Sequence, residues 1–166
     1  MACVVDTCRV LGARVHPESD ILLEIKRIAK ECDVRCGVII SLVGSLKNAT
    51  IRSIFDPESQ HLVYNNKTGE KVEQVKVYDV VKIDGPLEIV TATGTISEDS
   101  GAHVHVVLSK SGTDLYAGHL MEGSLVYTTV EMFLLLMPNV SSKRIFDRET
   151  GHKELVLEMR HQGALG

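Results

Sequence analysis

Three histidines, two in Gly101-Ala102-His103-Val104-His105 and one in Ala117-Gly118-His119-Leu120, have the side chains and the spacing to surround one metal ion. A catalytic-type zinc site takes three protein ligands and leaves a fourth position open, where the ion acidifies a water or polarises a carbonyl. Alternate residues of a strand share a face, so His103 and His105 point one way while Ala102, Val104 and Val106 point the other. The intervening Leu108-Ser109-Lys110-Ser111-Gly112-Thr113-Asp114 has the polar, glycine-bearing middle of a hairpin turn. A loop of Ser111–Thr113, or of Lys110–Asp114, puts His119 directly opposite His105 on the same face; a four-residue loop turns it away. The competing reading is a wet, polar strand face that carries histidines without a ligand.

The elements that must position these rings follow from periodicity. Cys8 to Val15 reads as a first strand. Pro17-Glu18-Ser19-Asp20 then supplies helix-start residues, and Ile21, Leu22, Ile25, Ile28, Ala29 and Cys32 recur at spacings of three and four against a charged opposite face. This predicts one amphipathic helix ending near Asp33. Gly37 to Val43 is a continuous apolar run, as a central strand requires. Further strands are expected over Ala49–Phe55, Leu62–Tyr64, Val72–Ile83, Leu87–Ile96, His103–Leu108, Leu115–Leu120 and Val126–Met137. They are separated by Lys67-Thr68-Gly69-Glu70, Asp84-Gly85-Pro86 and Glu98-Asp99-Ser100-Gly101. Val126–Met137 is apolar on both faces, a central strand or a subunit contact. Lys153–Met159 reads as a last strand or helix. The fold class expected is α+β: a single domain over 1–166, antiparallel sheet with one main amphipathic helix, and loose termini at 1–7 and 161–166.

Composition limits the functions available. A formal net charge of −4 gives no overall attraction to a polyanion. The densest basic stretch, Ser142 to Arg148, is broken by Asp147 and reads as a solvated loop, so nucleic acid is disfavoured as a partner. The start lacks the pattern of a secretory signal, and the longest apolar run, Met132 to Met137, is far short of the ~20 residues that span a bilayer. A cytoplasmic protein without a membrane partner is expected, with a nuclear location as the alternative. The four cysteines, at 3, 8, 32 and 36, are expected as reduced thiols.

Taken together, Gly44-Ser45-Leu46 with Ala49, Gly85-Pro86-Leu87-Glu88-Ile89, Thr93-Gly94-Thr95-Ile96, His103-Val104-His105, Gly112, Gly118-His119-Leu120, Gly123, Val126 and Glu131 resemble the PPC domain family, shared by plants and prokaryotes. The resemblance covers nearly the whole chain. It implies a strongly bent antiparallel sheet, a homotrimer, and a metal, zinc in the first instance, held by His103, His105 and His119. The arrangement is also similar to that of acetolactate decarboxylase and of a related ester-hydrolysing zinc protein. No Arg-Gly-Arg-Pro AT-hook of the plant nuclear members is present, and the three histidines place the chain with the metal-binding branch.

The function expected is therefore a zinc-dependent hydrolase or decarboxylase acting on a small carboxylic or ester molecule, with Glu88 and Glu131 as candidate acid or base. The alternatives are a DNA-associated or regulatory trimeric module and a trimer whose metal is structural. Imidazoles alone do not select zinc over nickel, copper or manganese. Gly44-Ser45-Leu46 is expected as a tight turn or as a backbone nest for an anion.

Overall fold

The computed structural model describes residues 8–53, 63–64, 71–72, 80–99, 101–149 and 151–160. The expected turn at Lys67-Thr68-Gly69-Glu70, Cys3, and the expected loose ends 1–7 and 161–166 lie outside these residues. In chain order the elements are β1 (Arg9–Val15), α1 (Ile21–Glu31), β2 (Cys36–Arg52), β3 (Val63–Tyr64), β4 (Lys71–Val72), β5 (Val80–Ser97), β6 (Gly101–Lys110), β7 (Asp114–Leu120), β8 (Leu125–Leu136), β9 (Val140–Phe146) and β10 (Lys153–Met159).

The α+β expectation is corrected: this is a β-rich fold in which α1, of 11 residues, is the one helix among the described residues. The helix forms where expected because Asp20 caps it. Its Oδ1 accepts from the backbone N–H of Leu22 and Leu23 at 3.0 and 3.1 Å, while Oδ2 accepts from Gly123 at 2.6 Å. Ile21, Leu22, Ile25, Ile28 and Ala29 are buried, and the helix packs on β6 and β8. It covers the sheet rather than sharing the architecture with it.

The sequence underestimates strand because two apparent breaks are absorbed inside strands. Gly37–Val43 and Ala49 onward are one 17-residue strand, β2. Gly85-Pro86, expected as a tight connection, lies within the 18-residue β5. Register shifts at Ile39/Ser41, Gly44/Leu46 and Leu46/Asn48 bend β2 along its edge with β8. Bulges of this kind let a strand change neighbours without ending.

That bend produces the topology. The main sheet runs β1-β8-β2-β5-β6-β7, entirely antiparallel, and β7 returns to β2 through Ile51↔Leu120 and Arg52↔His119. Strands β2, β5, β6 and β7 therefore close into a ring, with β8 and then β1 continuing the sheet from residues 37–48 of β2. Inside lie Leu46, Ala49, Ile51, Ala92, Ile96, Val104, Val106, Leu108 and Leu120, all buried.

A second correction concerns Ser142–Arg148, expected as a solvated loop. Residues 140–146 are instead strand β9, paired with β10 along its whole length. Buried Ser142 docks this hairpin onto the main body: its N–H and hydroxyl both donate to the Arg35 carbonyl, at 3.1 and 2.9 Å, and its hydroxyl also reaches the Ile96 carbonyl at 3.3 Å. No helix among the described residues is long and apolar enough to cross a membrane.

Candidate metal centre

The β6–β7 hairpin turns through Ser111, Gly112 and Thr113, with Ser111 and Gly112 at φ 55° and 77°. Glycine suits the second of these positive φ values without a side-chain penalty. The three-residue loop, one of the two expected from the sequence, sets the pairing His105↔His119 that brings all three rings to one face. Val104 and Val106, pointing the other way, are buried in the core and hold the strand down.

The outcome is a compact cluster. One ring nitrogen from each of His103, His105 and His119 lies within 4.8 Å of the others. The Nε2 atoms of His103 and His105 are 3.1 Å apart, and the ring centroids of His103 and His119 are 4.7 Å apart. Two nitrogens bound tetrahedrally to one zinc at 2.0–2.1 Å lie about 3.3 Å apart. His119 also has a buried Nδ1 with no hydrogen-bond partner, a polar atom in want of one. Donor type, spacing and this orphaned nitrogen all fit a divalent cation.

Burial and nearby charge keep two of the rings in the ligating form. Burial, then the charges of His103, Arg52, His105 and Arg144, push the His119 titration down to about 4. His103 is lowered by burial first, then by Arg144, His105 and Arg52, against an opposing pull from Glu154. Both rings are thus neutral at pH 7, with a nitrogen lone pair available.

The surroundings come from three elements. On β5, Thr93 and Thr95 stand opposite His105 and His103. On β2, Arg52 stands opposite His119. From β9, Arg144 donates through Nη2 to the Thr95 hydroxyl at 2.8 Å, and its backbone N–H is accepted by the Asp99 carboxylate at 3.0 Å. Neither Arg52, Arg144 nor Glu154 is singled out by sequence. Arg52 lies within the expected strand Ala49–Phe55, Arg144 in the stretch expected as a solvated loop, and Glu154 in a segment left open between strand and helix.

The structure does not bring the two candidate carboxylates to the cluster. Glu88 pairs with Ser109, on the histidine face but four residues beyond His105, roughly 13 Å along a straight strand. Glu131 is exposed on β8, between Arg14 and Val43, and β8 pairs with neither β6 nor β7. Glu122, near the end of β7, is held by Lys26 at 2.7 Å. Gly44-Ser45-Leu46 is neither turn nor anion nest, but strand interior where the β8 backbone passes close by.

Comparison with known proteins places this arrangement in context. Residues 4–137 match the family model described as the Plants and Prokaryotes Conserved (PCC) domain. The bifunctional protein GlmU of two Synechococcus strains is 29% identical over 150 residues, 90% of this chain. The chain spans only 20% and 21% of the length of these curated relatives. Among solved structures, a hypothetical protein from Salmonella cholerae-suis superposes with a TM-score of 0.74 at 21% identity, covering 93% of this chain and 96% of that one. A plant- and prokaryote-conserved protein from Pyrococcus horikoshii gives 0.69 at 23%, covering 95% and 100%. A protein named as metal-containing, from Archaeoglobus fulgidus, gives 0.66 at 25%, covering 92% and 95%.

Proposed function

Because the chain belongs to the Plants and Prokaryotes Conserved (PCC) domain family, we propose that it is a zinc-binding member whose three-histidine site hydrolyses or decarboxylates a small carboxylic or ester substrate. The observation that carries this reading is the convergence of His103, His105 and His119 on one face, with a buried, unpartnered nitrogen on His119. The metal-containing Archaeoglobus relative supports it.

In this proposal His103, His105 and His119 hold the ion as neutral ligands, and β5 and β7 fix them from either side. When bound, a zinc with three protein ligands supplies a Lewis acid at its open position. The exposed edge of His105 is the side from which substrate arrives, since His103 and His119 are partly covered. A general acid or base would have to come from the groups around the cluster, of which Glu154, whose charge acts on His103, is one. Glu88 and Glu131, remote within one chain, are given no such part.

The test is turnover of a panel of aryl esters and 2-keto or 2-hydroxy acids by zinc-loaded protein. Activity should vanish on chelation and return with zinc. Metal bound stoichiometrically without turnover of either class would leave a structural ion instead.

We propose further that the chain forms a homotrimer. Val10, Ile40, Val43 and Phe133, at 63, 52, 57 and 46% exposure, are large apolar side chains on the strands β1, β2 and β8. Exposed apolar surface of this kind marks interaction sites. Sedimentation equilibrium should give three times the chain mass of 18.2 kDa. A monomer at micromolar concentration sinks the assembly.

A further inference from the structure

We infer that a cleft beside the start of β1, where Arg9, Arg35 and Arg160 meet, binds a phosphate group, free or carried by a small molecule. This second site goes beyond the metal reading above and does not rest on it.

One turn gathers the three arginines. Leu136, at the end of β8, pairs with Arg9, the first residue of β1. The next residue, Met137, donates its N–H to the Cys36 carbonyl at 3.0 Å and so fixes the start of β2, which Arg35 immediately precedes. Two residues further on, the Asn139 carbonyl accepts the Arg160 N–H at 2.8 Å. Three positions remote in sequence are thereby tied to the four residues 136–139. Their side chains line one cleft of about 210 Å³, together with Cys32 and Asp33 from the end of α1.

The cleft is remote from the histidines. Arg9, Leu136, Gly37, Ile96 and Ala102 form one row of directly paired positions. Strand β1 therefore stands four strands from β6, roughly 19 Å measured along the sheet. The neighbouring row, from Val10 through Leu135, Val38 and Thr95, ends on His103. Since successive residues of a strand alternate, Arg9 and His103 leave the sheet on opposite faces.

Charge selects the ligand. Asp33 is the one carboxylate among the residues lining the cleft, and Arg35 donates to it through Nε, at 3.3 Å to each oxygen. Glu31, in the last turn of α1, is held by Arg27 at 2.6 Å. Among the described residues the side chains of Arg9 and Arg160 make no ion pair or hydrogen bond. Three guanidiniums against one carboxylate leave two positive charges on the cleft, and a phosphate monoester brings about −1.5 to −2 at pH 7. Three forks carried by three separate backbones also suit a tetrahedral group better than a planar carboxylate. The volume lies below the ~300–1,000 Å³ of sites for drug-sized ligands, so whatever carries the phosphate is small.

Cys32 provides a reporter within the cleft, because it is an exposed free thiol. Binding of inorganic phosphate, glycerol 3-phosphate and malonate is measured by calorimetry, and alkylation of Cys32 by neutral iodoacetamide is followed by peptide mass spectrometry. Wild type should bind phosphate more tightly than malonate, and bound phosphate should slow the alkylation. The tighter of the two phosphates tells whether the group is free or esterified. R9Q and R160Q should each weaken phosphate about tenfold. Both arginines are exposed, so neither substitution disturbs the core. R160K should restore only part of the affinity, since the charge returns without the fork. H119A should bind phosphate as wild type does. Absence of phosphate binding, indifference to R9Q or to R160Q, or an unchanged rate at Cys32 overturns the site. Phosphate binding lost in H119A places the anion at the histidines instead, and tighter binding of malonate overturns the choice of a phosphate.

Discussion

Protein purified without a metal-chelating resin and supplied with zinc is expected to carry close to one zinc per chain, and His119→Ala is expected to carry less than about a tenth of that at micromolar concentration. The large effect expected at His119 has a structural reason. It stands opposite His105 on one side and Arg52 on the other, so its ring is hemmed in where the sheet closes on itself. Its Nδ1 is buried without a partner, and burial holds its titration near 4, so in the wild type the ring meets the ion already neutral and already oriented. Truncation removes one of three donors, and two imidazoles on the single strand β6 do not hold zinc against water. His105→Ala should behave alike. Elemental analysis after gel filtration decides the matter. Zinc retained at wild-type level in both variants would place the ion elsewhere in the chain.

A second large effect is expected far from the cluster, at Gly44. Its backbone sits at φ 152°, and a Cβ built there would strike the Thr129 carbonyl oxygen and lie 2.8 Å from the Val130 Cα. Both obstacles are main chain of β8, which is clamped between β1 and β2 and has no room to retreat. Gly44→Ala should cost about 3–5 kcal/mol of folding stability, at the upper end of single substitutions. Urea unfolding followed by far-UV circular dichroism measures it. A loss below about 1 kcal/mol would mean that β2 and β8 separate easily at this point. The clash also bears on the site, because the same stretch of β2 carries the register shifts that steer Arg52 toward His119.

How much of this was legible beforehand depends on how local the cause is. The helix could be read because its cap and its apolar stripe lie within a dozen residues of each other. The histidine geometry could be read because two rings alternate on one strand and the third is set by the length of one turn; the observed Ser111–Thr113 loop is one of the two that the spacing allowed. What failed was long-range. Gly44 and Gly85-Pro86 look like turns, and only the neighbouring strands show that they are irregularities inside long bent strands. That is why the chain reads as α+β while its structure is dominated by strand. Ser142–Arg148 looks like solvated charge because alternation is hidden by polar residues on both faces of β9. Its role emerges only from contacts with Arg35, Ile96, Asp99 and Thr95, forty or more residues away in sequence. The acidic candidates Glu88 and Glu131 were chosen for their neighbours in sequence, and the sheet carries each of them away from the rings.

All three imidazoles reside on one short hairpin, whereas Arg52, Arg144 and Glu154, whose charges act on them, arrive from distant segments. The order in which the chain acquires these two things follows. Hairpin contacts are local and form early, whereas the closure that joins Arg52 to His119 must bring together positions far apart along the chain. The rings therefore meet while still in water, and those of His103 and His119 lose proton affinity only when burial comes with the closing of the ring of strands. An ion can be captured before folding is complete, weakly and in competition with protons, and held tightly afterwards. If the half-formed chain already has some affinity, an ion bound by this site would stabilise the finished protein by the difference between the two affinities rather than by the whole of the second.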